Sequence, residues 1–172
     1  MAKIQFTEKQ KFNQIWLWII LIIPLLLVVW GFVQQVIIGK PFGNNPTPDW
    51  MYLLLLLILG GILALFGFTK LETLIDTEGI HYRFTPFYRT FRKISWDETN
   101  RVYVRKYSPI LEYGGWGVRY GIKGKALNVS GNKGLQIEFT NGKKLLIGTQ
   151  QPEELQKVLN QLVPAKLSGQ RY

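Results

Sequence analysis

The run 112–134, EYGGWGVRYGIKGKALNVSGNKG, concentrates residue types that loops use for chemistry: glycines, one tryptophan, two tyrosines and four cations. Glycine-rich backbone can turn its N–H groups toward a phosphate. Spacing tests that idea. The dinucleotide fingerprint G-x-G-x-x-G must follow a strand and open a helix. Gly115 and Gly117 fit its start, but Tyr120 stands where the third glycine belongs. The phosphate loop G-x-x-x-x-G-K-[ST] could use Gly124 and Lys125. It fails at Arg119, where a glycine is needed, and at Ala126, where a hydroxyl is needed. Two readings remain: turns and a bulge between strands, or a binding loop built on Trp116, Arg119, Tyr120 and Lys123. Loops carry binding residues more often than their share of the chain.

Other constellations are sparse. The chain has no cysteine and one histidine, His81. Thiolate sites and multi-histidine metal sites are therefore excluded. His81 alternates with Arg83 on the polar side of a strand-like stretch and reads as a surface residue. Ser95, Ser108, Ser130 and Ser168 have only that imidazole to share. The carboxylate pairs Asp97-Glu98 and Glu153-Glu154 are sequence neighbours, suited to a turn and a helix start. No catalytic residue, metal ligand or cofactor is assigned, and a non-enzymatic role is expected.

The formal net charge is +10, and most of it lies beyond residue 70. Arg83, Arg89, Arg92, Lys93, Arg101 and Arg105 form a basic set with Tyr103 and Tyr107 interleaved. On nucleic acid such a set would contact phosphates and stack on bases. Beside an anionic leaflet each nearby cation contributes roughly 1 kcal/mol. The residues favour the membrane surface or a protein partner over nucleic acid.

That preference comes from the elements that hold these residues. The runs 15–33 and 50–68 contain no charged residue. At ~1.5 Å per residue each reaches roughly 28 Å, close to the ~30 Å hydrocarbon core. Helices are expected over about 15–38 and 50–68. Trp16, Trp18, Trp30, Trp50 and Tyr52 sit near their ends, where amphipathic rings prefer headgroup depth. The connection GKPFGNNPTPD (39–49) is a turn. The first run is longer than a signal-peptide core, and no small-x-small site follows at Gln34-Gln35. Lysines at 3, 9 and 11, and cations after the second run, outnumber the single Lys40 between them. Positive-inside bias then puts both ends in the cytoplasm. Gly60, Ala64 and Gly67 form a small-residue stripe for close packing, either on the first helix or on a second copy in a homo-oligomer. With no ionisable group inside either span, the hairpin reads as an anchor rather than a transport path.

Beyond Thr69 the periodicity becomes that of strands: 71–77, 80–87, 88–96, 100–107, 126–130, 135–140 and 143–148. Asn141-Gly142 is a strong hairpin signal. Closely spaced turn signals argue an antiparallel sheet or barrel. In TQQPEELQKVLNQLV (149–163), Leu155, Val158, Leu159, Leu162 and Val163 share one helical face.

DTEGIHYRF (76–84), ISWDETNRVYV (94–104), YGGWGVR (113–119) and NGKKLLIGTQQPEEL (141–155) resemble the bacterial pleckstrin-homology-like (PH-like) membrane proteins. In that group a two-helix hairpin precedes the domain. The resemblance implies a transmembrane hairpin followed by a mainly-β, partly open barrel with one C-terminal α-helix. The expected organisation is a flank (1–14), the hairpin (15–68), the PH-like domain (69–163) and a flexible tail (164–172). Phosphoinositide-binding members carry a basic loop between their first two strands. Here Asp76-Thr77-Glu78-Gly79 takes that place and is acidic. The expected role is a membrane-anchored adaptor for a protein or lipid partner at the inner leaflet. The competing expectation is a small membrane enzyme or transport accessory subunit that uses 112–134 as its site.

Overall fold

The computed structural model describes residues 5–162. The segment 164–172, expected as a tail, and Val163 lie outside them. The chain divides into two compact units, residues 13–68 and the two segments that flank them.

In the first unit, α1 (Ile15–Phe32) runs on through a π-helical turn (Val33–Ile37), and α2 (Asp49–Phe68) follows. Both are long and apolar enough to cross a membrane. Few of their side chains are buried, unlike those of a soluble core helix. The Gln35 amide ties the turn to the start of α2, donating to Thr47 O at 2.5 Å and to Asp49 Oδ1 at 2.6 Å. Gly31 packs against the Tyr52 ring, where a Cβ would lie 2.7 Å from Cε1. In the expected small-residue stripe, Gly60 and its neighbour Gly61 face open space, whereas a Cβ on Gly67 would lie 3.8 Å from Trp18 of α1.

The second unit is mainly β. One sheet has the order β1-β2-β3-β4, formed by Phe6–Lys11, Lys70–Asp76, Gly79–Thr85 and Arg92–Ser95. The other has the order β5-β8-β9-β7-β6. Its strands are β5 (Thr99–Lys106), β6 (Gly117–Gly121), β7 (Gly124–Asn128), β8 (Lys133–Phe139) and β9 (Lys144–Gly148). A short helix, α3 (Pro109–Tyr113), links β5 to β6, and α4 (Pro152–Leu162) ends the described chain. Leu155, Val158 and Leu159 of α4 are buried, as its periodicity requires. The sheets are open rather than joined into one barrel.

The N-terminal segment corrects the expected order. Residues 6–11 are not merely a flank before the helices. They pair antiparallel with β2 from Phe6↔Ile75 to Lys11↔Lys70. The helical unit is therefore inserted between two neighbouring strands. Consequently Asp76–Gly79 links the second and third strands, not the first and second. Asp76 Oδ1 accepts from the Glu78 and Gly79 amides, which closes that turn.

β1 presents Phe6, Glu8 and Gln10 inward. The Glu8 carboxylate accepts the Thr149 hydroxyl and the Gln150 amide, both at 2.7 Å, just ahead of α4. Burial pushes the Glu8 carboxyl above its usual range, against these hydrogen bonds. Gln10 Nε2 donates to Gly148 O at 2.7 Å. A buried carboxylate is tolerated only when satisfied in this way.

Three further details differ from expectation. The strand expected over 88–96 narrows to Arg92–Ser95, and a 3₁₀ turn follows at Trp96–Glu98. The β7–β9 ladder is parallel, not antiparallel, because β9 returns between β8 and β7. His81 is half-buried, with Nε2 3.0 Å from Asp76 Oδ2, rather than a free surface residue.

Candidate functional site

The glycine-rich run spans the last residues of α3, the β6–β7 hairpin, whose tip is Ile122-Lys123, and the start of β8. Two glycines fit it against its neighbours. A Cβ on Gly121 would lie 2.0 Å from Glu112 O at the end of α3. A Cβ on Gly124, which has φ +101, would lie 2.5 Å from Lys144 O on β9. The glycines thus bring two β edges and a helix into contact, a reason for glycine unrelated to phosphate.

The hairpin tip forms one wall of a groove of about 880 Å³ at the end of the five-stranded sheet. Strand alternation sorts its lining. On one face Tyr103, Gln136, Glu138 and Lys144 stand in neighbouring rows of β5, β8 and β9. Tyr103 Oη donates to Glu138 Oε1 at 3.2 Å, and Lys144 Nζ pairs with Glu138 Oε1 at 3.1 Å. On the other face, Tyr120 and Lys125 oppose each other, with Tyr82 reaching in from β3. Arg105, Lys123, Lys125, Lys143 and Lys144 supply positive charge, with Glu138 as the one acid among the lining residues.

Lys125 sits in an aromatic clamp. Its Nζ donates to Tyr88 Oη at 2.5 Å and lies 5.3 Å from the Tyr120 ring centroid. Burial disfavours its charge, yet the Tyr88 and Tyr120 hydroxyls outweigh that and raise its pKa. It stays cationic at neutral pH. Arg105 is held at every nitrogen. Its Nε donates to Gln136 Oε1 at 2.9 Å, and its terminal nitrogens bind Glu112 at 2.8 and 3.2 Å. These contacts with Arg105 bring the Glu112 carboxyl down to about 2. Arg105 is thus a structural cation, whereas Lys143 and Lys123 are exposed at the groove mouth. Among the described residues, no cluster of three or more His, Cys, Asp or Glu side chains is placed to hold a metal ion.

The expected loop residues separate. Tyr120 and Lys123 line the groove. Trp116 just precedes β6 and its Nε1 donates to Gly131 O, while Arg119, at the centre of β6, turns back to donate from Nε to Trp116 O.

The basic set also divides. Arg83 is bound to Glu72 at 2.6 Å and lies over the Phe91 ring. Lys93 pairs with Glu78. Arg92 lies over Tyr88, and Arg89 is exposed in the β3–β4 link. Arg101 and Arg105 belong to the other sheet, with Arg101 5.4 Å from the Tyr103 ring. Tyr107, expected outward, is buried against Tyr113 and accepts from Asn128 Nδ2 at 2.9 Å. Burial pushes its hydroxyl up to about 12. The reason is local: β5 ends at Lys106, and the chain turns inward to start α3.

Lys125, Lys143, Lys144 and Tyr82 were not singled out from sequence. Asn141-Gly142 marks a turn but says nothing of what faces it. The parallel β7–β9 pairing brings the two hairpins together.

Residues 2–165 match a family model described as Family of unknown function (DUF6141). The chain belongs to the DUF6141 family. No curated protein and no solved structure gives a match. The groove, the glycine-rich hairpin and both apolar helices all lie within the stretch that DUF6141 covers.

Proposed function

We propose that this DUF6141 chain is a non-enzymatic, membrane-anchored adaptor whose β unit has a PH-like frame and binds an acidic segment of a protein partner. The groove carries the proposal. Its lining sets Lys125, Lys143 and Lys144, with Lys123 at the mouth, and the rings of Tyr82, Tyr103 and Tyr120 around Glu138, while Glu112, just outside the lining, binds Arg105. An acidic, extended segment complements that surface in charge, and the rings offer it apolar contact.

The PH-like reading draws support from the strand order. β1 to β4 form an antiparallel meander, and β5, β8 and β9 form a second one before α4. These are seven strands and a C-terminal helix. In that frame α3, β6 and β7 are an insertion between β5 and β8, and the apolar hairpin occupies the link between the first two strands. The anchor reading draws support from β1 and β2. Adjacent strands of one sheet lie on one side of any bilayer, so the two helices between them enter and return. Positive-inside bias makes that side cytoplasmic.

The test is photo-crosslinking in native membranes, with a photoreactive residue at position 103 on the groove floor. The expected result is one discrete protein adduct that Lys143→Glu with Lys144→Glu abolishes. An adduct whose yield ignores both charge reversals would contradict the groove as the binding site.

A further inference from the structure

The exposed large apolar side chains of the β unit are confined to three segments. Among the described residues they are Phe87 and Phe91 in the β3–β4 link, Ile110 and Leu111 on α3, and Tyr120 and Ile122 on the β6–β7 hairpin. Ile122 is 97% exposed and Leu111 83%. Side chains of this kind are scattered on ordinary surfaces, and their grouping marks an interaction site.

Side-chain contacts join the three segments into one rim. Tyr88, the neighbour of Phe87, accepts the Lys125 ammonium that also lies against the Tyr120 ring. Glu112, the neighbour of Leu111, pairs with Lys123 at 3.5 Å, and its carbonyl abuts Gly121. Arg89 and Lys123 are exposed along the same rim.

Register says which end of the sheet this is. Lys11 pairs with Lys70, and Lys70 with Thr85, from which the β3–β4 link departs. The chain passes to and from the apolar helices at that same end, since Lys70 follows Phe68 by two residues.

We infer that this rim docks on the surface of an anionic bilayer, with Phe87, Leu111 and Ile122 entering the headgroup layer and Arg89 and Lys123 meeting lipid phosphates. Apolar side chains ringed by cations suit that interface, where the rings and aliphatic groups sit below the charges. The inference rests on the reading of the helices as membrane-spanning. In that arrangement the α3–β6–β7 insertion serves as a second, non-spanning contact that fixes the height of the groove above the lipid.

The native chain has no cysteine, so single labels are unambiguous. The full chain, reconstituted in vesicles containing phosphatidylserine, would carry an environment-sensitive fluorophore at Phe87→Cys, Leu111→Cys or Ile122→Cys. Thr77→Cys, exposed at the opposite turn of β2–β3, serves as the control, and Leu57→Cys in α2 reports the anchor. The expected result is a blue-shifted emission at the three rim positions, with several-fold more quenching by a shallow lipid-borne nitroxide than at position 77. Position 57 should respond instead to a deep nitroxide. Rim labels that quench no more than position 77, with position 57 quenched, overturn the inference alone and leave the patch to a protein partner. An unquenched position 57 removes the spanning reading, and the rim inference falls with it.

Discussion

Glu112 ties α3 to two of the cations that line the groove. It holds the two terminal nitrogens of Arg105, accepts the Ser108 amide at 2.9 Å and faces Lys123. Its carboxyl lies at about 2, against an ordinary 4.5. The sign follows from linkage: a depressed folded value contributes stability that is complete above 4.5 and is lost as pH falls toward about 2. Glu112→Gln should therefore melt below wild type at neutral pH, and the gap should close on acidification through that window. Thermal unfolding followed by circular dichroism checks this, and a gap that ignores pH would contradict it. Little of this was legible beforehand. Arg105 read as a free surface cation because its strand alternates cleanly. Its partner lies on a five-residue helix that leads into a run that looked like loop.

At the scale of elements, the β6–β7 hairpin depends on near contact. Gly121→Ala would drive a Cβ against Glu112 O, and overpacking of that kind costs about 1–3 kcal/mol. The expected outcome is a lowered melting temperature, whereas Lys123→Ala at the neighbouring exposed position stays close to wild type. Equal effects from the two changes would contradict the packing account.

The strands with clean alternation, β3, β5 and β8, were legible to within a residue or two, and so was α4. β6 was not, because its glycines signal turns more strongly than its short apolar content signals a strand. β1 was hidden for a different reason. Two of its inward positions are Glu8 and Gln10, and an inward glutamate looks outward in sequence. Its shortest partners are Thr149 and Gln150, over 140 residues away along the chain. No local pattern encodes that pairing, nor the parallel match of β7 with β9.

For the whole molecule, the decisive feature is where the apolar hairpin is spliced. The two uncharged runs were plain in the sequence, since 19 residues without a charge resist other readings. Their position between paired strands was not, because Lys3, Lys9 and Lys11 served equally well as a topogenic flank. With β1 and β2 side by side, the account requires the 39–49 connection to lie across the membrane from every strand of the β unit. Single cysteines at Asn44 and Thr77, probed in intact cells with a membrane-impermeant maleimide, test this most directly. The account predicts that Asn44→Cys is labelled from outside and Thr77→Cys only after the membrane is breached. Labelling of both positions from outside, or of neither until breach, would contradict it.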